Sequence, residues 1–216
     1  MTPEAQQAMQ TFVASQKTAQ GYMNAGGRAD AYYQQFGEVL EAVFTPTKLF
    51  RMKLNLTVQE SRHQDTIYGQ FFDFLAAESH PFTVNSWQAK RAKDTMNHLS
   101  TVNSQLSTLT TNAVCCILSM QHQMGEPLDP TYVEWLQQRQ DDSGGFYANE
   151  LASIPDLLST AVALFTLRLI GADSGDATLF IQAHWQDNGS FVPTLLDDYS
   201  DVEYVFYGLL ALGSLS

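Results

Sequence analysis

Two carboxyl groups near the end of the chain have the type and spacing to do chemistry. They lie in Asp201-Val-Glu203-Tyr204, which runs on into Val205, Phe206 and Tyr207. A carboxyl shielded by apolar and aromatic groups incurs a large penalty on ionising, so it tends to keep its proton near neutral pH. Glu203 is thereby a candidate general acid. Asp201, nearer the helix start, is expected to stay ionised and to orient that proton. The plainer reading of Glu203 is a first-turn acid favoured by the positive end of a helix.

Asp197, Asp198 and Asp201 form a five-residue acidic pattern with the spacing of a magnesium–diphosphate motif. Carboxylates at i and i+4 can supply two oxygen ligands if the segment is helical. However, the stretch follows Pro193 and precedes a helix start, which makes it a loop. Short acidic matches are also common in a chain with 23 acidic residues. The five histidines, His63, His80, His98, His122 and His184, have no i, i+3 or i+4 pairing that would suit a metal. Cys115 and Cys116 are adjacent and fall in an apolar run, where they read as packing residues. Gly26-Gly27 and Gly144-Gly145 read as turn residues and not as a phosphate cradle.

These groups must be positioned by helices. Apolar residues recur at i, i+3, i+4 and i+7, and the segments are divided by Gly, Pro, Asn and Asp. The fold class is therefore all-α. The helices also repeat. SIPDLLSTAVALFTLRLIGA (153–172) and DYSDVEYVFYGLLALGSL (198–215) both place Asp at a helix start, then an apolar run, then Gly171 or Gly213 as a stop. QRQDDSGGF (138–146) and HWQDNGSF (184–191) precede them as Gly-aromatic turns. FVASQKTAQGYM (12–23) followed by GRADAYYQQFGEVLEAVF (27–44) repeats the scheme at the N-terminus.

Taking the helix-start residue as position zero, five copies begin at Asp30, Asp65, Thr108, Asp156 and Asp201, spaced 35 to 48 residues apart. That spacing suits one helical hairpin per copy. Position +7 is Gly37, Phe72, Cys115, Ala163 and Gly208, mostly small, as close helix packing requires. Position +3 supplies Tyr33, Tyr68, Thr111, Ser159 and Tyr204, and +6 supplies Phe36, Phe71, Val114, Val162 and Tyr207. These positions share one helix face, so the inner helices present an aromatic, sparsely hydroxylated stripe. The Asp residues read most simply as N-caps. The Gln before each turn reads as a ligand for exposed backbone at the previous helix end.

On these motifs the chain resembles the prenyltransferase and squalene-cyclase repeat family. Leu136, Gln140, Gly145 and Phe146 are similar to that family's Gln-Gly-aromatic repeat, while in the next copy Gln182 or Gln186 is off register. Pro155, Asp156, Thr160 and Ala161 match a triterpene-cyclase segment, and Asp201 and Tyr207 match a helix of the protein-prenyltransferase β-subunit. The resemblance implies an α/α-toroid whose inner helices surround an apolar cavity. It implies a lining that includes Tyr33, Phe36, Tyr68, Phe71, Ser159, Tyr204 and Tyr207. It also places position +2, Glu203, where a cyclase carries its proton donor. The departures concern the chemistry: Leu158 and Ser159 replace two carboxyls of the cyclase motif, no Asp-x-Cys exists, and Tyr204 stands in place of the zinc-binding His.

Composition bounds the partners. The chain has 216 residues, 44% of them hydrophobic, enough for one core. Eleven basic against 23 acidic residues give a net charge of −12, which argues against nucleic acid and anionic membranes. No signal peptide or transmembrane run is visible, so the expected location is the cytoplasm.

Residues 1–216 are expected to form a single α/α-toroid of about five helical hairpins, complete or partial, with an irregular connection over 81–103. The leading function is binding an isoprenoid or other long apolar ligand, with cyclising or transferring chemistry of a lyase or isomerase type. Glu203 and Asp201 would be catalytic. No cofactor is expected: zinc is not, and magnesium would have only Asp197, Asp198 and Asp201. A protein partner or a homo-oligomer is compatible with this. The alternative is a non-catalytic toroid, a binding or interaction module that has lost the active site.

Overall fold

The computed structural model describes residues 1–29, 31–44 and 108–215. Tyr68 and Phe71, the copy beginning at Asp65, the cap Asp30 and the segment 81–103 lie outside the described residues. The described elements are α1 (Pro3–Ser15), β1 (Lys17–Thr18), β2 (Gly21–Tyr22), α2 (Ala31–Phe44), α3 (Thr111–Gln123), α4 (Pro130–Gln137), α5 (Leu157–Leu169), α6 (Thr178–His184) and α7 (Val202–Ser214). The described residues are thus mostly helical, with β1 and β2 forming one short antiparallel pair.

Helix starts follow from local side-chain chemistry. Asp156 Oδ1 accepts the Ser159 N–H at 2.8 Å, and Asp201 Oδ1 accepts the Glu203 N–H at 3.0 Å. Each satisfies one of the orphan donors at a helix N-terminus. Pro3 and Pro130 occupy first-turn positions where no N–H is needed.

The third start differs from expectation. The cap is Thr110, whose hydroxyl accepts the Ala113 N–H at 3.2 Å, so the helix begins two residues after the register that Thr108 implied. Two threonines in one short polar stretch can each cap, and the choice falls where the Thr111 N–H meets the Ala148 carbonyl at 2.8 Å. Gly171 follows the end of α5 as expected. Gly213 does not stop α7 but lies inside it.

The repeat is visible in backbone bonds. The Asp141 N–H bonds the Gly145 carbonyl at 2.9 Å, and Gln186 bonds Ser190 at the same distance 45 residues later. Tyr147 to Arg139 and Val192 to His184 match in the same way, both at 3.0 Å. Gly144 and Gly189 turn the chain with φ of 89° and 92°, a conformation that L side chains resist. This offset corrects the glutamine reading. Gln140 donates to the carbonyls of Gly144 and Ser174 at 3.1 and 2.9 Å, and its counterpart in the next copy is Trp185, not Gln182 or Gln186.

Two of the turns place an aromatic ring on the helix that follows. Phe191 lies against Gly208 and Tyr22 against Gly37, so closely that a Cβ at either glycine would enter the ring. In α5 the corresponding residue is the fully buried Ala163. At Gly37 and Gly208 the small residue at +7 is therefore a seat for the turn's aromatic group.

Helices α3, α5, α7 and α2 pack side by side in that order. The N-terminal hairpin follows the C-terminal one in space. Gly144 of one turn packs against Asp176 and Ala177 at the start of α6, and Gly189 of the next packs against Ala8 and Met9 of α1. The two ends of the described chain are thus neighbours. The core joins α2, α3, α5 and α7 through Leu40, Ile117, Leu164 and Ala211.

Candidate functional site

The N-terminal ends of α5, α7 and α2 converge, bringing Glu203 together with residues far away in sequence. Glu203 lies in the first turn of α7 and is 8% exposed. Its Oε1 accepts the Tyr32 hydroxyl at 2.9 Å, a contact between residues 171 positions apart. Burial pushes the Glu203 carboxyl above its ordinary value, and the nearby Asp201 charge adds to this. The hydroxyls of Tyr32 and Tyr33 stabilise the charged form and oppose the shift. The outcome is a shielded, hydrogen-bonded acid.

Asp201 is 2% exposed. Besides capping α7, it accepts the Ala25 N–H through Oδ2 at 3.3 Å, tying the N-terminal turn to the last helix. Burial moves its carboxyl upward as well, against the pull of the Ala25, Glu203 and Tyr204 N–H groups. From the sequence, Asp201 is expected to stay ionised and to orient the Glu203 proton; its oxygens bond the backbone N–H groups of Ala25 and Glu203. It shares the desolvation of Glu203.

Tyr204 adjoins the pair, its phenol pushed well up by burial and by Glu203, Tyr199, Asp201 and Asp156. The Tyr199 ring stands edge-on to Tyr204 at 6.4 Å. On the other side, Phe36 packs edge-on to Tyr32 at 4.9 Å and tilts against Phe206 and Tyr207 at 5.1 and 5.9 Å. Tyr33, Phe36, Tyr204 and Tyr207 thus gather around Glu203 or one turn below it.

Ser159, at 2% exposure, bonds the cap Asp156 at the start of α5. The acidic pattern also separates. Residues 195–200 are not helical, so Asp197 and Asp201 do not share a helix face. Asp197 accepts the Thr194 N–H and hydroxyl at 3.0 and 2.7 Å, Asp198 is exposed, and Asp201 is held as described. Among the described residues no group of three His, Cys, Asp or Glu is placed to hold a metal ion. No helix among them is long and apolar enough to cross a membrane.

One residue of the site escaped the sequence reading. Tyr32 occupies position +2 of its repeat, the position of Glu203 in the last one, and that shared register was the available signal. His184 is fully buried at the end of α6, with Nδ1 bonded to the Phe180 carbonyl at 2.8 Å and Nε2 without a partner. Burial holds its pKa below the usual 6.5, although the Asp156 charge opposes this. The i−4 spacing to Phe180, whose ring lies 4.2 Å away, hinted at a packed imidazole.

Open space lies beside this cluster. A cleft of about 670 Å³ runs between the turn after α1 and the loop before α7, with Ala25, Tyr199 and Ser200 in the wall nearest Asp201. Glu203 is not part of its lining. No protein-family model, curated protein or solved structure matches the chain.

Proposed function

We propose that this chain is a divergent α/α-toroid of the terpenoid-cyclase and prenyltransferase kind, which binds an isoprenoid or other long apolar ligand and uses Glu203 as an acid. One observation carries the reading: a nearly inaccessible carboxyl, held by the Tyr32 hydroxyl at 2.9 Å, within a wall of aromatic rings. A proton passing from Glu203 to an alkene carbon leaves a carboxylate and a carbocation. The faces of Phe36 and Tyr207 would attract that cation. Loss of a proton from the product cation then restores the acid. A carboxyl raised by burial is a better proton donor at neutral pH than one in water.

A second reading, the non-catalytic toroid, is favoured by the position of the cleft, which lies away from Glu203. The two readings separate in one series of measurements. Native mass spectrometry of freshly purified protein should detect a copurified apolar ligand. Glu203→Gln should retain that ligand while eliminating its turnover. A parent protein that binds no apolar ligand overturns the proposal. Ligand binding with unchanged turnover in Glu203→Gln removes the acid role and leaves the binding module.

A further inference from the structure

The cleft between the N-terminal turn and the loop before α7 has a lining of a different character. Its hydrogen-bonding network fixes which way two amides point. Asn24 Oδ1 accepts the Arg28 N–H at 3.0 Å, and Asn188 Oδ1 accepts the Ser190 N–H and hydroxyl at 3.0 and 2.7 Å. Their NH₂ groups are the donors left over, and Gln186 adds a third amide to the wall. Acceptors stand opposite in kind: Asp198, and the Asp197 oxygen that does not hold Thr194. Phe12, Met23 and Val192 supply apolar patches between them. Tyr199, 44% exposed, adds a ring with a hydroxyl at the rim.

The geometry points to this cleft as a binding site for a neutral polyhydroxylated ligand, a sugar or polyol, distinct from the Glu203 cluster. Every hydroxyl of such a ligand both donates and accepts, which suits alternating amide and carboxylate partners. Its C–H faces can lie on aromatic and aliphatic side chains. A volume of about 670 Å³ is within the range of small-ligand sites. Anions are disfavoured, because no Lys, Arg or His is found among the described lining residues and the chain carries a net charge of −12. A cation is a poorer match than a polyol. Asp197 already accepts two hydrogen bonds through one oxygen, and the amide donors have nothing to offer a positive charge.

The test uses the full chain with maltotriose and myo-inositol as neutral probes, and spermidine and inorganic phosphate as charged ones. Calorimetry and amide NMR report binding. A neutral probe should bind in the millimolar range or tighter and move the side-chain amide signals of Asn24 and Asn188. The double variant Gln186→Ala/Asp198→Ala, in which neither side chain holds the fold, should weaken binding about tenfold or more with melting unchanged. Leu179→Ala, on the exposed face of α6, should leave it intact. Preferential binding of spermidine, lost with Asp198→Ala, overturns the proposal in favour of a cation site. Absence of any neutral-probe shift at Asn24 and Asn188, or binding indifferent to the double variant, also overturns it. None of these outcomes bears on the acid role of Glu203, whose Gln variant should bind the neutral probe like the parent.

Discussion

Gly208→Ala tests the packing of the Phe191 ring on α7. A Cβ at residue 208 would stand 2.5 and 2.6 Å from Cε2 and Cγ of Phe191, about 1 Å inside the normal separation of non-bonded carbons. Phe191 cannot retreat easily. It is 1% exposed, and its turn is wedged against the α1 backbone at Ala8 and Met9. Overpacking at a site that cannot yield costs about 2–3 kcal/mol, the upper part of the usual range. Replacing Gly by Ala inside a helix returns about 1 kcal/mol. The expected net loss is therefore about 1–2 kcal/mol, lowering Tm by roughly 2–8 °C for a chain of this size. Gly213→Ala is the control. It lies in the same helix with nothing within 4 Å of the added carbon, so the propensity gain stands alone and Tm should rise by up to about 4 °C. Thermal melts followed by circular dichroism, with urea titration to check that the m-value is unchanged, give both signs. A Gly208→Ala protein as stable as Gly213→Ala would refute the seat-and-ring packing.

Glu203→Gln should stabilise the fold increasingly as pH rises. A carboxyl raised by burial contributes its full share of stability below its unfolded value of 4.5, and loses it as pH climbs through the folded value. Melts from pH 5 to 8 check this, and a Gln advantage that shrinks with pH would contradict it. Asp156→Ala and Thr110→Ala should each cost about 1 kcal/mol through lost capping, and Asp201→Ala more, because the Ala25 contact goes too. Denaturant titration measures the differences, and equal losses for Asp156→Ala and Asp201→Ala would count against the cross-link. NMR titration of His184 should give a midpoint below the ordinary 6.5, since the buried ring resists charging; a midpoint above it would place a partner on Nε2.

What the sequence determined by itself is local. Asp156 and Asp201 cap helices because an aspartate at such a position meets backbone donors two or three residues on, whatever lies beyond. The Gly-aromatic turns were legible because Gly144 and Gly189 adopt dihedrals that almost no other residue tolerates. The small residues at +7 were visible as a pattern, but the reason at Gly37 and Gly208, an aromatic ring delivered by the preceding turn, was not. Only tertiary structure decided that Tyr32 meets Glu203, that Asp201 reaches Ala25, that Ser159 serves a cap and that Asp197 turns to Thr194. Thr110 rather than Thr108 starts α3 for the same reason: both can cap, and a carbonyl from another hairpin, Ala148, settles the register. The site follows that division. Its acid could be named from neighbours one turn away. The partners that set its proton affinity, and the cleft beside it, arise from packing the first hairpin against the last, and no spacing along the chain encodes that contact.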